Sequence, residues 1–184
     1  MDAETRTTEA GTTGVGTRPP VVPSWALRAA TAADVEPVAE LRAAVMRGDL
    51  ERLGRYDEHR VRQRLRDSFS TEYTSVITVD GDDAEATAGA GPVAGCVTLR
   101  PASGGLLLEH FYVAFRHQGR GLGSAVLRTL LKRADARNAP VRLNVLQGSA
   151  ARRLYERHGF VLEFEDPVDV FLLRPPGADA APLT

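Results

Sequence analysis

The chain has 184 residues, of which 43% are apolar and 26% charged, with a formal net charge of −1. That length suits one domain with a full core, and the near-neutral balance argues against non-specific nucleic-acid binding as the main activity. The single cysteine, Cys96, excludes an intrachain disulfide framework and suits a reduced cytoplasm; no apolar run approaches membrane-spanning length, and the N-terminus lacks the blocks of a secretory signal.

Residues 1–23 are rich in Thr, Gly, Ala and Pro and poor in large apolar groups, so they read as a disordered leader. The tail 175–184 reads the same way, which leaves 24–174 as the globular part. "WALRAA" (25–30) predicts a first strand. Thr31 is placed to cap a helix with Asp34 and Glu36 in its first turns, and Pro37 is tolerable near that start. Val35, Val38, Leu41 and Val45 give this helix an apolar face, and Gly48 is expected to end it. "DEHRVRQRLRDSF" (57–69) predicts a second amphipathic helix, with Val61, Leu65 and Phe69 on one face and Arg60, Arg62, Arg64 and Arg66 on the others.

"YTSVITVD" (73–80) and "PVAGCVTLRP" (92–101) have strand character, joined by a polar, glycine-rich hairpin loop. "LLLEHFYVAF" (106–115) is apolar enough for a buried strand. A helix over about 120–136 puts Leu122, Val126, Leu130 and Ala134 on one face, and "VRLNVL" (141–146) follows as a strand. Ser149 is placed to cap a short helix that Gly159 ends; "FVLEFE" and "VDVFLL" close the chain as a strand pair.

The stretch "RHQGRGLGSAVL" (116–127) puts Gly119, Gly121 and Gly123 where a buried strand turns into a helix. Glycine is costly inside a helix, but here it lets a ligand oxygen approach N–H groups that have no intrahelical partner, at the positive end of the helix dipole. No Gly-Lys-Ser/Thr follows, and the spacing is not G-x-G-x-x-G, so neither common nucleotide-binding loop is present. A pyrophosphate held by main-chain donors, with Arg116 and Arg120 near, or a merely tight strand-to-helix turn, are the two readings these glycines allow.

"QGRGLG" resembles the Q/R-x-x-G-x-G/A signature of the GNAT superfamily of acyl-CoA-dependent N-acyltransferases, with Gln118, Gly121 and Gly123 on the defining positions. "SAARRLYERHGF" (149–160) resembles that family's second block through Ala151, Leu154, Tyr155, Glu156, Gly159 and Phe160. The resemblance spans roughly 26–173 and is strongest over 106–165. It implies an α+β GNAT fold: a mixed central sheet of about seven strands with flanking helices and a V-shaped opening between the fourth and fifth strands.

It also implies acetyl-CoA as cosubstrate; the four histidines, His59, His110, His117 and His158, are scattered without zinc spacing, so no metal is expected. Main-chain groups of Phe111 and Val113 would line the pantetheine arm, and Gln118, Gly119, Arg120, Gly121, Leu122, Gly123 and Ser124 would hold the pyrophosphate. Tyr155 matches the position of a tyrosine that protonates the departing thiolate. Glu109 is the first candidate for the general base. His110, on the opposite face of a regular strand, and a relaying water are the alternatives. Ser149 stands where the family often has asparagine. "GRYDEH" (54–59), with Arg55, Tyr56 and Glu58, and the arginine-rich helix are candidates for the acceptor pocket. The implied activity is acetyl transfer to a primary amine in the cytoplasm, with no nucleic-acid or membrane partner and a homodimer among the admissible states. The alternative is a non-catalytic acyl-CoA sensor. Cys96, in an apolar strand with no flanking His, reads as packing.

Overall fold

A computed structural model describes residues 23–81 and 92–178 of the chain. The leader up to residue 22, most of the hairpin loop (82–91) and the tail from 179 lie outside the described residues. The elements follow the predicted order. They are β1 (Trp25–Ala29), α1 (Val35–Arg52), α2 (Glu58–Ser68), β2 (Thr74–Val79), β3 (Gly95–Ala102), β4 (Gly105–Val113), α3 (Leu122–Asp135), β5 (Val141–Leu146), α4 (Ala151–Glu156), β6 (Val161–Glu165) and β7 (Asp169–Arg174). Short 3-10 turns at Ala32–Asp34 and Phe115–His117 lead into α1 and out of β4.

The strands make one seven-stranded sheet in the order β1-β2-β3-β4-β5-β7-β6. All neighbours are antiparallel except β4 and β5, which are parallel. This is the α+β arrangement, with a mixed sheet, that the sequence implied. Alternation along the strands splits the core in two. Ile77, Val97, Leu108 and Leu143 pack with Leu122, Val126, Leu127 and Leu130 of α3 and with Tyr155 of α4. On the other face Cys96 and Tyr112 pack with Val38 and Ala39 of α1 and Leu65 of α2.

Gly48 does not end α1. The helix continues to Arg52 and stops at Gly54, whose φ of +64° supplies the left-handed turn that Gly48 was expected to make. The continuation has an apolar motive, because Met46 and Leu50 both face the cavity described below. α2 is capped by Asp57, which accepts from the Arg60 N–H at 2.7 Å. Its Arg62 and Arg66 fork onto Glu40 and Glu36 of α1, with Nε–O distances of 2.6 and 2.8 Å. At α4, Ser149 gives only a 3.4 Å contact to the Ala151 N–H, so the expected cap is weak.

The junction from β1 to α1 rests on Asp34, which is fully buried. Its carboxylate accepts two bonds from the Arg28 guanidinium, at 2.6 and 2.8 Å, and one from the Thr31 N–H at 2.8 Å. Chiefly through Arg28, its pKa falls from 3.8 to about 2. A depressed carboxylate stabilises the fold above its unfolded pKa and loses that contribution as pH falls through the folded value. Asp34→Asn should therefore cost about 2 kcal/mol near neutrality. The gap to wild type should close between about pH 4 and pH 2. Urea unfolding of both proteins at neutral and acid pH measures this, and a gap independent of pH would contradict it.

Candidate active site

β4 and β5 start together and then part. Their pairing is limited to Leu106↔Val141 and Leu107↔Arg142. Beyond that, β5 keeps β7 along its other edge through Leu146, while β4 keeps β3 through Val113. The V-shaped opening between the fourth and fifth strands is thus present, and it opens the sheet to both faces. A cavity of about 470 Å³ lies at the opening. Its wall is contributed by α1, the α1–α2 connection, α2, β4, β5, α4 and the start of β7.

Glu109, His110, Phe111 and Tyr155 of the predicted site residues line this cavity together, with Asn144 and Ser149. A regular strand would let only one of Glu109 and His110 face the cleft, but β4 is not regular. Cys96 pairs with Tyr112 and Thr98 with Glu109, so His110 and Phe111 both lie opposite Val97. His110 takes a φ of +51°, the left-handed region that a non-glycine residue enters at a cost of about 1–2 kcal/mol. A bulge of this kind re-aims side chains, and both residues reach the cavity wall.

The two candidate bases differ in their engagements. Glu109 Oε1 accepts from Arg100 Nε at 2.7 Å. His110 Nε2 lies 3.0 Å from Ser68 Oγ, and Nδ1 lies 3.4 Å from the Tyr112 hydroxyl. Ser68 donates its own proton to the Arg64 carbonyl at 2.6 Å, which assigns the His110 proton to Nε2. Burial holds the His110 pKa below its usual value, so the ring is neutral near pH 7. Neither ring nitrogen is left unengaged for an acceptor.

Tyr155 is 6% exposed, and its hydroxyl has no hydrogen-bond partner among the described residues. Burial, aided by the nearby Tyr112, raises its pKa, so the phenol keeps its proton across the physiological range. The sequence did not single out Tyr112 or Arg42. Arg42 Nη1 donates to the Tyr112 hydroxyl, its Nε donates to the Val61 carbonyl at 2.9 Å, and its guanidinium lies 5.7 Å from the centre of the Tyr112 ring. Asn144 is tied to Asp169, its Nδ2 donating to Oδ1 at 2.9 Å.

The glycine turn does not line this cavity; it follows β4 by way of the Phe115–His117 turn. Gly119 and Gly121 have φ of +70° and +83°, and Gly121 stands immediately before α3. The N–H groups of Gly119 through Ser124 have no acceptor among the described residues. Gln118 Nε2 donates to the Val113 carbonyl at 2.7 Å, so these two residues staple the turn to the end of β4. A Cβ on Gly119 would meet open space, which fits a turn that presents its backbone outward. Such a row of donors at a helix start suits a pyrophosphate.

Residues 76–162 match the family model of the acetyltransferase (GNAT) domain. Among solved structures, the PaiA N-acetyltransferase of Thermoplasma acidophilum in complex with coenzyme A matches with a TM-score of 0.64 at 18% identity, covering 83% of this chain and 99% of that one. The ribosomal-protein-S18-alanine N-acetyltransferase of Escherichia coli matches with a TM-score of 0.58 at 16% identity, covering 88% and 99%. An acetyltransferase of Thermus thermophilus matches with a TM-score of 0.61 at 16% identity, covering 84% and 98%. No curated protein sequence matches the chain.

Cys96 lies behind the bulge, fully buried, with Sγ donating to the His110 carbonyl at 3.1 Å. Burial pushes its pKa up to about 12, so the thiolate needed for alkylation is scarce at neutral pH. Iodoacetamide should leave the native protein unlabelled and modify Cys96 promptly in denaturant. Mass spectrometry showing rapid labelling of the native state would contradict this placement.

Proposed function

The chain carries a GNAT acetyltransferase domain, and on that premise we propose that it transfers an acetyl group from acetyl-CoA to a primary amine of a small molecule or peptide. The observation that carries this reading is the hydroxyl of Tyr155, which lines the cavity at the opening of the sheet and has no partner among the described residues. In the alternative reading, an acyl-CoA sensor, nothing requires a protonated, unpartnered phenol at that point.

The donor-rich turn supplies the fit to the cosubstrate. The N–H groups from Gly119 to Ser124 hold the pyrophosphate, with the side chains of Arg120 and Arg116 adding charge nearby. The backbone of β4 at Phe111 and Val113, with no β5 partner on that side, receives the pantetheine arm. The thioester supplies an activated acyl carbon and a thiolate leaving group. Glu109 receives the proton that the attacking amine must lose, directly or through one water, using the carboxylate oxygen that Arg100 leaves free. As the C–N bond forms and the C–S bond breaks, Tyr155 gives its proton to the sulfur. Its raised pKa keeps that proton on the ring until sulfur charge develops. Burial also makes a hydrogen bond to the developing thiolate stronger than it would be in water.

Acetyl-CoA turnover on a panel of amines, read as free thiol, tests the assignment. CoA binding without thiol release on any amine would favour the sensor. Gly121→Val should weaken CoA binding by roughly tenfold or more, because the side chain enters the cradle and the left-handed φ disfavours it. Gly123→Ala is the control for helix integrity, since its Cβ would meet only Leu154 Cδ2 at an ordinary 3.5 Å. Calorimetry finding wild-type affinity in a folded Gly121→Val protein would remove the turn from the site.

Tyr155→Phe keeps the ring that packs edge-on against Phe160, with centroids 5.6 Å apart, and deletes only the proton donor. General acid catalysis is worth about 10²–10⁴-fold, and water replaces part of it, so kcat should fall toward the lower end with CoA affinity little changed. Wild-type kcat under conditions where chemistry limits turnover would make Tyr155 a packing residue.

A further inference from the structure

The charges around the cavity are not matched one for one. α2 carries arginines at 60, 62, 64 and 66, and they divide into two pairs. Arg62 and Arg66 are spent on Glu40 and Glu36 of α1. Arg60 and Arg64, one helical turn apart, line the cavity, and their guanidinium groups make no ion pair or hydrogen bond among the described residues. On the opposite wall Asp169 at the start of β7 is likewise without a cation, its bond being the one from Asn144. The remaining carboxylates of the wall are engaged. Glu109 is held by Arg100, Asp49 by Arg52, and Asp57 by the first turn of α2, where it also feels the Arg60 charge. The cavity therefore has a carboxylate on its sheet side and, facing it, three uncommitted guanidinium groups, those of Arg60 and Arg64 on α2 and of Arg55 in the α1–α2 connection.

Building on acetyl transfer as the activity, we propose that the acceptor is a small amine that also bears a carboxylate or phosphate, and that Arg60 and Arg64 grip this anionic group. The amine end points to the opening between β4 and β5, and the anionic end points to α2. Two arginines at i and i+4 offer planar forks that match either oxyanion. The cavity, about 470 Å³ in all, suits a small molecule better than a folded partner. A purely cationic acceptor such as a polyamine would set its second ammonium against Arg60 and Arg64, and a neutral amine would leave them unused.

The test separates binding from turnover. The full chain, saturated with CoA, is titrated calorimetrically with two matched pairs of acetylated probes. These are N-acetyl-β-alanine against its amide, and N-acetylphosphoethanolamine against N-acetylethanolamine. The anionic member of at least one pair should bind about tenfold or more tightly in wild type, and the pair that shows it separates carboxylate from phosphate recognition. Arg60→Gln/Arg64→Gln should reduce that preference to about twofold or less. CoA affinity and the thermal midpoint should hold, since both side chains lie on an exposed face. Arg64→Glu should carry the loss further. Equal binding of both members of both pairs in wild type, or an undiminished preference in the double variant, would overturn the proposal. Thiol release from the corresponding free amines is measured in parallel. Its absence on every amine would count against acetyl transfer, while the probe titration still decides the anion site.

Discussion

The site depends on one constraint, that β4 and β5 are pinned at one end and free at the other. The pin is close backbone contact. Gly105 opens β4 at a φ of +155° against the carbonyl of Pro140, where any Cβ would collide, and the Leu106 N–H then donates to that same carbonyl at 2.9 Å. Two residue pairs later the strands have separated. Neither strand is left with two open edges, because β5 is bonded to β7 and β4 to β3. The sheet can therefore hold a gap in its middle and leave backbone groups for a ligand, where an isolated pair would close up or fray.

The gap also joins two cores that a closed sheet would keep apart. Tyr155 belongs to the packing of α3 and α4, whereas Tyr112 and Arg42 belong to that of α1 and α2. Through the opening their hydroxyls come near enough for the charge of one to raise the pKa of the other, on top of the burial that dominates both shifts. Two neutral phenols on one cavity wall differ in use. Arg42 already donates to Tyr112, while Tyr155 keeps its hydroxyl unpartnered. The His110 bulge serves the same end from β4, since it places consecutive residues on the wall where alternation would have hidden one.

Much of this was legible in the chain. Periodicity, apolar runs and caps mark the helices and strands, and the glycine turn with the "LYERHGF" block carries the resemblance that implies the fold. What was hidden depends on partners distant in sequence. Gly48 looks like a helix stop until the packing of Met46 and Leu50 is known. The bulge at His110 leaves no mark, since "LEHFYV" alternates no worse than a regular strand. Arg42, Tyr112 and Asp169 reach the site only through long-range packing, and no motif flags them. The role of Gln118 changes in the same way. The signature puts it in the ligand turn, while the structure has its side chain on the Val113 carbonyl, holding the turn in position.

The arginines of α2 show how far a local pattern can be read. Four arginines at alternate positions on a helix fall into two stripes about 200° apart, because each step of two residues turns the helix by that much. The sequence thus requires two different environments for them, and it is silent on which pair faces which. α1 receives one pair. Its Glu36 and Glu40 lie one turn apart at the surface, so they match the 62/66 stripe fork for fork. Burial of Val61 and Leu65 sets the rotation of α2 about its own axis, and these exposed pairs add little to it. Once the rotation is fixed, Arg60 and Arg64 are carried to the cavity. The buried apolar face of the helix thereby determines which arginines it offers to a substrate, and a change at Leu65 would be felt at the acceptor site without touching it.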